Sequence, residues 1–346
     1  MAKKLKVGVI GLGMGKCHVR GFANRTDAEV AAAADLSAER RDSIQEEYGV
    51  PRVYEEGADM LEKEDLDIAV IATPNVLHAP LTIKALEADC HVLCEKPMAM
   101  SVEEAESMQK KAEEKKKVLM VNFSYRFSDI TFALKEQIAE GVIGDVYYVR
   151  SVWHRRRGFP GFGGWFGKKE LSGGGPLVDL GVHRIDLALW LMGNPRPVSV
   201  YGVTHDRYIR EMIRGSDIEF DCEDLAVSMI KLEGGITLMT EVSWGLHGKN
   251  AEYMRTAVYG TKGSAVHKNI EQRYSFEGWL YTEKNGVLYD KKIARSTVSC
   301  PDVYGNMVDV IQGKDENYGS AQSGVDVQKI LNGIYQSAET GKEVVF

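Results

Sequence analysis

The chain has 346 residues, of which 44% are hydrophobic and 27% are charged, an ordinary composition for a globular protein of about two domains. Lys and Arg together number 43 against 50 Asp and Glu, which gives a net charge of −7. The chain therefore lacks the basic excess with which proteins neutralise the phosphates of nucleic acids, and we predict no nucleic-acid partner.

The sequence contains no sign of secretion or of a membrane segment. No stretch reaches the roughly 18 apolar residues that span a bilayer, and "MAKKLKVGVIGLG" passes from lysines into a strand without a signal-peptide core. The five cysteines are odd in number and scattered, with no short CxxC spacing. We expect a cytoplasmic protein with reduced thiols, without a membrane partner and without a metal site.

Apolar runs alternate with amphipathic stretches between residues 5 and 123. The apolar runs predict buried strands at 5–10, 29–35, 66–73, 90–95 and 117–123. The segments between them predict helices near 14–25, 37–48, 76–88 and 101–116. This alternation predicts a parallel sheet covered by helices, with its ligand at the carboxyl ends of the strands.

A glycine turn follows the first strand. It consists of Gly11, Leu12, Gly13, Met14 and Gly15. Such a turn lets a pyrophosphate approach backbone amides at the start of a helix. The third position of the G-x-G-x-x-G pattern is Lys16, so Gly15 is expected to supply the close approach. The next strand ends in Asp35, whose carboxylate can bind an adenosine ribose and would repel a 2′-phosphate, so the pattern predicts NAD rather than NADP.

Polar residues also follow the next two strands, which read "ATPNVLH" and "CEKPMAMS". Lys96 directly follows a buried strand and precedes a proline, so we expect its ammonium at the ligand edge of the sheet rather than on a solvated helix face. The cofactor contacts predicted from these two strand ends are Thr73, Pro74, Asn75, His78, Glu95, Lys96 and Pro97.

The stretch "GGGPLVDLGVHRID", residues 173–186, leads three glycines into a leucine-rich helix. Asp179, His183 and Asp186 have the spacing i, i+4, i+7, which places them on one face of a regular helix. Such a polar stripe either faces solvent or takes part in binding or catalysis. We expect the glycines to let the backbone pass close to a bound nicotinamide or sugar.

The pattern changes after about residue 124. A helix at 129–140 leads into the strand "DVYYVRSVWH", and the alternating segments after residue 196 predict antiparallel hairpins. Residues 205–222 are polar and irregular, which predicts an exposed insertion. One face of this second sheet would be free for a ligand and the other for a partner subunit.

These motifs occur in an order and at intervals that resemble the Gfo/Idh/MocA (glucose-fructose oxidoreductase/inositol dehydrogenase) family. The resemblance covers residues 5 to about 195 and is carried by the glycine turn, Asp35, "ATPNVLH", "CEKP", "VNFSYRF" and "SGGGPLVDLGVHRIDLALWLMG". Beyond residue 195 the resemblance depends on the general pattern of predicted elements, including a closing helix near 322–338.

The resemblance implies an α/β protein with two domains. Residues 1–123 would form an N-terminal Rossmann domain, and residues 124–346 a C-terminal α+β domain with a large open mixed, mostly antiparallel sheet. It also implies a homodimer or homotetramer. The lysine of the family's EKP motif maps onto Lys96, and the family's aspartate and histidine map onto Asp179 and His183.

The same three residues suit the oxidation of a secondary hydroxyl of a sugar, glycoside or inositol-like polyol. His183 could remove the hydroxyl proton as hydride leaves carbon, Asp179 could orient the imidazole or bind a neighbouring hydroxyl, and Lys96 could polarise the oxygen. For Asp186 a purely structural role near Arg184 stays open.

Residues 151–175 combine aromatic and basic side chains with glycines. Aromatic rings stack on pyranose faces and arginines bind hydroxyls or carboxylates, so this segment predicts a substrate wall. The predicted substrate contacts are Lys96, Arg126, Trp153, Arg155, Arg157, Phe159, Trp165, Asp179 and His183. The same composition is typical of subunit interfaces, and that alternative stays open.

Two other functions stay open. One is a glycoside hydrolase or lyase that retains its NAD and oxidises its substrate transiently, which net release of NADH would exclude. The other is a non-catalytic NAD-binding regulator, against which Lys96, Asp179 and His183 argue.

Overall fold

The computed structural model describes residues 4–162, 164–294 and 300–346. The chain divides into two compact units. The parallel-sheet unit comprises Met1–Asn122 and Pro301–Val325, and the mixed-sheet unit comprises Phe123–Cys300 and Asp326–Phe346. Within the described ranges, no helix combines the length and the apolar character needed to cross a membrane.

The parallel-sheet unit is built on six strands. They are β1 Leu5–Ile10, β2 Ala28–Ala34, β3 Arg52–Tyr54, β4 Ile68–Ile71, β5 His91–Cys94 and β6 Leu119–Val121. Their order is β3-β2-β1-β4-β5-β6, and every pairing is parallel. This is the strand order of a Rossmann sheet.

Five helices connect these strands. They are α1 Gly15–Ala23, α2 Ala38–Tyr48, α3 Gly57–Lys63, α4 His78–Glu87 and α5 Val102–Lys115. Serine side chains cap two of them, Ser37 on α2 and Ser101 on α5, by accepting from a backbone N–H three residues on. Neither β3 nor α3 was predicted from the sequence, because elements this short show too little hydrophobic periodicity.

In the part of the chain that the structure describes, nine strands form the mixed sheet. They are β7 Val146–Arg155, β8 Pro197–His205, β9 Leu225–Leu232, β10 Ile236–Ser243, β11 Glu252–Gly260, β12 Gly263–Ile270, β13 Ser275–Lys284, β14 Val287–Lys292 and β15 Val344–Val345. Their order is β14-β13-β12-β11-β7-β10-β9-β8-β15, in which only β7 and β10 pair in parallel. The predicted open, mixed and mostly antiparallel sheet is confirmed.

Two helices of this unit pack on the sheet and on each other, one against β7, β10 and β11 and the other against β12 and β13. The mixed-sheet unit contains α6 Asp129–Ala139, α7 Lys169–Ser172, α8 Val182–Leu191 and α9 Arg207–Met212. Every residue of α8 is buried, so it is the core helix of the unit. It packs on β7, where the Ser151 hydroxyl donates to the carbonyl oxygen of Arg184 over 3.0 Å.

The predicted insertion at 205–222 is exposed over much of its length but is anchored within the unit. It contains α9, where Ile209 is buried and its backbone N–H donates to the Asp224 carboxylate over 2.8 Å. Cys222 at its end is also buried. An isolated buried side chain in a polar segment gives no periodic signal, so the anchoring was not predicted.

The last two helices are α10 Val303–Ile311 and α11 Ala321–Thr340, the latter at the predicted closing helix. The sequence predicted that all residues after 123 belong to the second domain. Residues 301–325 instead belong to the parallel-sheet unit. This segment extends the sheet edge: the Val121 N–H donates to the Gly319 carbonyl over 2.7 Å, and the Asn317 amide donates to the Leu119 carbonyl over 3.0 Å. Contacts between segments this distant in sequence leave no local pattern.

Candidate active site

The glycine turn connects β1 to α1 at the carboxyl end of the parallel sheet. Gly11 has φ of +87°, and a Cβ there would lie 2.5 Å from the Ala72 carbonyl oxygen, so only glycine fits. A Cβ on Gly13 would have open space, with the Arg40 guanidinium as its nearest neighbour at 3.7 Å. Met14 provides no side-chain cap for α1. An uncapped helix start above an open turn fits a pyrophosphate.

Gly15 supplies the close approach that the third glycine of the pattern usually provides. A Cβ on Gly15 would lie 2.9 Å from the Val9 side chain of β1, so glycine lets α1 pack closely on the sheet. Lys16 instead directs its ammonium to the Glu47 carboxylate, 2.5 Å away on α2. A lysine at this position is therefore compatible with the turn.

Asp35 fixes its carboxylate at the same turn. One oxygen accepts from the Leu12 backbone N–H over 2.6 Å, and the other accepts from the Ser37 N–H over 2.8 Å. The Arg40 guanidinium lies 3.4 Å from the carboxylate. The carboxylate thus stands beside the turn where the ribose of a dinucleotide would bind, and these residues fit NAD.

His78 joins the loops that follow β4 and β5. It is fully buried, its Nδ1 donates to the Pro97 carbonyl oxygen over 2.7 Å, and its Nε2 lies 3.0 Å from the Thr73 carbonyl oxygen. Burial lowers the pKa of His78. This position differs from the predicted direct contact with the cofactor, because the ring is enclosed between two strand ends. Asn75 is also buried, while Thr73 and Pro74 are half-buried.

Glu95 anchors the strand end that carries Lys96. Its carboxylate accepts from the Asn122 amide over 2.7 Å and from the Lys96 backbone N–H over 3.1 Å, and it lies 2.9 Å from His18 Nε2. Burial opposes ionisation of Glu95, but the hydrogen bond and charge of His18 outweigh it and lower the pKa to about 2. Glu95 therefore positions the backbone of Lys96 rather than facing a ligand, and the Lys96 side chain is half-buried.

The helix that carries Asp179 and His183 is not regular. Leu177–Gly181 forms a π-helical turn that runs into α8, so Asp179 lies on the π turn and His183 on the α-helix. Single π turns inside helices are frequent at functional sites. Asp186 is buried and does not share the setting of Asp179, which agrees with the structural role that the sequence left open for it.

Asp186 instead binds Arg126 in the interior. Arg126 Nε lies 3.1 Å from both carboxylate oxygens of Asp186, and its Nη2 lies 2.5 Å from one of them. Both side chains are almost fully buried. This ion pair replaces the predicted substrate contact of Arg126, because the guanidinium is enclosed and occupied.

The glycines before the helix are required by the protein's own packing. Gly174 has φ of +155°, and a Cβ there would collide with the hydroxyl of Tyr335, while a Cβ on Gly175 would collide with the carbonyl of Glu223. The Glu223 carboxylate accepts from the N–H groups of Gly175 and Leu177 over 2.9 and 3.1 Å, and from the Tyr335 hydroxyl over 2.9 Å. Packing within the unit therefore explains Gly174 and Gly175, and a close approach of a ligand to these glycines stays a prediction.

His183 lies against two aromatic rings. The ring centroid of Tyr125 is 5.0 Å from that of the imidazole, and that of Trp153 is 6.0 Å away. Burial raises the pKa of Tyr125 to about 12, so this hydroxyl stays neutral. The imidazole is therefore bordered by two uncharged aromatic rings.

Asp179 accepts a hydrogen bond from a tryptophan and lies beside an arginine. The Trp244 indole N–H donates to its carboxylate over 3.0 Å, and Arg155 Nη1 lies 3.7 Å from the same oxygen. Arg155 also donates to the Glu252 carboxylate over 3.1 Å and to the Tyr274 hydroxyl over 2.8 Å. The Arg155 guanidinium thus contacts Asp179, Glu252 and Tyr274.

The structure brings Trp153 and Arg155 together with Asp179 and His183, as the sequence suggested. The Trp153 indole N–H donates to Glu252 over 2.5 Å. Sequence reasoning missed four residues of this group: Tyr125, Trp244, Glu252 and Tyr274. Tyr125 lies inside a quoted motif and Trp244 follows a strand directly, which were usable signals. No comparable sequence signal pointed to Glu252 or Tyr274.

The remaining residues of the 151–175 segment take different positions. The ring centroid of Phe159 lies 6.3 Å from that of Trp244 and 5.8 Å from that of Tyr208. Phe159 therefore contacts the side chains around Asp179 through Trp244. Trp165 stacks on Phe166 at 4.0 Å, and Arg157 is exposed.

Comparisons with known proteins match both halves of the chain. Residues 5–123 match the GFO_IDH_MocA oxidoreductase family with an NAD-binding Rossmann fold, and residues 132–266 match the C-terminal domain of the same family. The chain is 33% identical over 350 residues to D-glucoside 3-dehydrogenase of Escherichia coli, covering 98% of this chain and 97% of the relative. The chain belongs to the Gfo/Idh/MocA family.

Levoglucosan dehydrogenase is a second similar protein. The enzyme of Pseudarthrobacter phenanthrenivorans is 30% identical over 297 residues, covering 78% of this chain and 75% of the relative. A solved levoglucosan dehydrogenase in complex with NADH and levoglucosan has a TM-score of 0.85 and 25% identity, and the match covers 99% of each chain. The predicted family, fold class, oxidoreductase activity and NAD cofactor are confirmed, so this protein is an NAD-dependent oxidoreductase.

Proposed function

We propose that this protein oxidises a secondary ring hydroxyl of a neutral sugar, glycoside or inositol-like polyol. The observation that supports it best is the grouping of Asp179 and His183 with aromatic rings and acids in the mixed-sheet unit. The named relatives, a glucoside dehydrogenase and a levoglucosan dehydrogenase, support the same class of substrate.

In this proposal each side chain has one task. His183 accepts the hydroxyl proton, and its position against Tyr125 and Trp153 limits its access to water. Asp179, held by Trp244, binds the substrate or orients the imidazole. Lys96 stabilises the negative charge that develops on the oxygen. NAD, when bound, accepts the hydride that leaves carbon.

The charges of the site favour a neutral substrate. Arg155 is the cation nearest to Asp179 among the contacts described, and its charge is opposed by both Asp179 and Glu252 at 3.7 and 3.1 Å. A sugar acid or a nucleotide sugar would bring further negative charge to two carboxylates. Hydroxyl groups, by contrast, donate to carboxylates, so a neutral polyol suits this pair of acids.

The test is a panel of monosaccharides, inositols and glycosides with NAD, followed by NADH formation. A substrate that yields one NADH per molecule oxidised supports the proposal. A substrate that is cleaved without net NADH would favour the redox-neutral hydrolase or lyase. Binding of NAD without turnover on any member of the panel would favour the regulator.

We also infer that two copies of the chain pair through the face of the mixed sheet opposite α8. Tyr201, Met229 and Met239 lie in register across β8, β9 and β10. Tyr201 and Met229 are 42% and 40% exposed, large fractions for such apolar side chains. The row continues to Arg150 of β7, whose neighbour Ser151 faces α8 from the other side of the sheet. An apolar row on an open sheet face suits an isologous dimer.

A further inference from the structure

Arg184 is a buried cation that the proposed reaction does not use. It follows His183 on α8 and its side chain is fully buried. Its Nε, Nη1 and Nη2 atoms have no hydrogen-bond acceptor in the described structure. Burial lowers the pKa of Arg184, but arginine starts so far above neutrality that the guanidinium stays charged. Buried charges are normally paired, so this arrangement requires an explanation.

The guanidinium lies on the same two rings that border His183. Its central carbon is 4.5 Å from the centroid of Tyr125 and 5.1 Å from that of Trp153. The imidazole is 5.0 Å from the Tyr125 centroid, so the guanidinium and the imidazole are less than about 10 Å apart. The rings attract the cation through their faces without neutralising it.

The nearest carboxylate does not cancel this charge. The Asp186 carboxylate already forms a buried ion pair with Arg126. The positive charges of Arg126 and Arg184 are therefore opposed by a single carboxylate charge. Burial raises the pKa of Asp186, and Arg126 opposes that rise. Even with Asp186 ionised, one unit of positive charge remains beside Tyr125 and Trp153.

Three other titratable groups around the two rings carry no charge. Burial, with a further contribution from Arg184, lowers the pKa of His267 to about 3, so this imidazole is neutral. Burial raises the pKa of both Tyr125 and Tyr274, which are neutral as well. On the His183 side, Arg155 offsets one of the two negative charges of Asp179 and Glu252, so one negative charge remains there, and the charge of Arg184 opposes its effect on the imidazole.

We propose that Arg184 is a positioning residue for His183: its charge, held on the Tyr125 and Trp153 rings, disfavours the protonated imidazole and keeps His183 available as a base. This inference rests on the proposed function, in which His183 accepts the hydroxyl proton. It also explains why a cation is retained at a site where a hydrophobic side chain of similar size would avoid the cost of burial.

The test compares Arg184→Met with Arg184→Lys. Methionine removes the charge and keeps an apolar chain of similar length, whereas lysine keeps the charge. The midpoint of His183 protonation is measured in the protein without substrate by NMR of ¹³C-labelled histidine, with the signal assigned from His183→Ala. We expect Arg184→Met to raise this midpoint by about one pH unit, the order of a unit charge at this distance, and Arg184→Lys to shift it much less.

The pH profile of kcat/KM provides the second readout. The acid limb of Arg184→Met should move to higher pH by the same amount, because a base that protonates more readily is lost at higher pH. If Arg184 has a purely structural role, its replacement should lower the melting temperature without changing the His183 protonation midpoint or the midpoint of the acid limb. If Arg184→Met does not fold, Arg184→Gln carries the same prediction.

Lys135→Met is the matched control. Lys135 also lies over an aromatic ring, at 4.2 Å from Trp190, which is seven residues beyond His183 on α8, or about 10 Å along the helix. Its removal should leave the His183 midpoint unchanged. A folded neutral variant with the wild-type midpoint would overturn the inference. Undiminished hydride transfer by His183→Ala would instead overturn the proposed function, and the NMR midpoint separates the two failures.

Discussion

The indole N–H of Trp244 donates to the Asp179 carboxylate over 3.0 Å, from a side chain that is fully buried. This bond fixes one oxygen of the acid at the start of the π turn. Trp244→Phe keeps most of the ring and removes the donor. We expect kcat/KM to fall by about tenfold, the usual scale for a residue that orients a functional group, with NAD affinity unchanged. Trp279→Phe on β13 is the control. Equal kinetics for both variants would contradict this role.

The cofactor preference should depend on Asp35. Its carboxylate, fixed by the N–H groups of Leu12 and Ser37, would repel a 2′-phosphate, whereas the nearby Arg40 would attract one. We expect NAD to bind at least about tenfold more tightly than NADP, and Asp35→Ser to narrow that gap. Calorimetric titration measures both affinities. Glu39→Ser, which removes an exposed acid of α2, should leave the preference unchanged, and equal affinities in the wild type would refute the assignment.

The stability of the protein should depend on pH through Glu95. Its pKa is about 2 in the folded protein, below its ordinary value, so the ionised form stabilises the fold above about pH 4.5. That contribution is lost as the pH falls from about 4.5 towards 2. Glu95→Gln should be less stable than the wild type by about 1–3 kcal/mol at pH 7, and the difference should shrink below pH 4. Urea denaturation at several pH values measures it, and a constant difference would argue against an ionised Glu95.

The sequence predicted the parts of the fold that local pattern determines. The first strand was placed at Leu5–Ile10, and the glycine turn and Asp35 were assigned to the ends of adjacent strands because apolar runs and turn residues lie next to each other in the chain. Lys96 was placed at a strand end for the same reason. Periodicity and turn chemistry act over a few residues, so they can be read without the fold.

The partners of those residues could not be predicted in the same way. Asp186 was placed on a functional stripe, but its partner Arg126 lies 60 residues away in the sequence. Gly174 was assigned to a ligand, but the group that excludes a side chain there is Tyr335 on the last helix. A regular helix was assumed where a π turn occurs. The partners of Asp186 and Gly174 are tertiary contacts, which leave no mark on local sequence, and the π turn is a local irregularity that helical periodicity does not signal.

The proposed dimer has its own test. Met229→Glu introduces a charge into the apolar row on the open face, and we expect sedimentation velocity to show a shift from dimer to monomer with little change in the folded structure. Leu36→Glu is the control, because Leu36 is 69% exposed in the parallel-sheet unit. A wild type that sediments as a monomer would contradict the inferred pairing.

The most direct test of the account is single-turnover hydride transfer by His183→Ala, measured on the same sample as its melting temperature. His183 is the group assigned to accept the proton, so the rate should fall by about a hundredfold or more, with NAD affinity and melting temperature close to those of the wild type. Lys96→Ala should show a comparable loss of rate. A folded His183→Ala protein that transfers hydride at the wild-type rate would contradict the central claim.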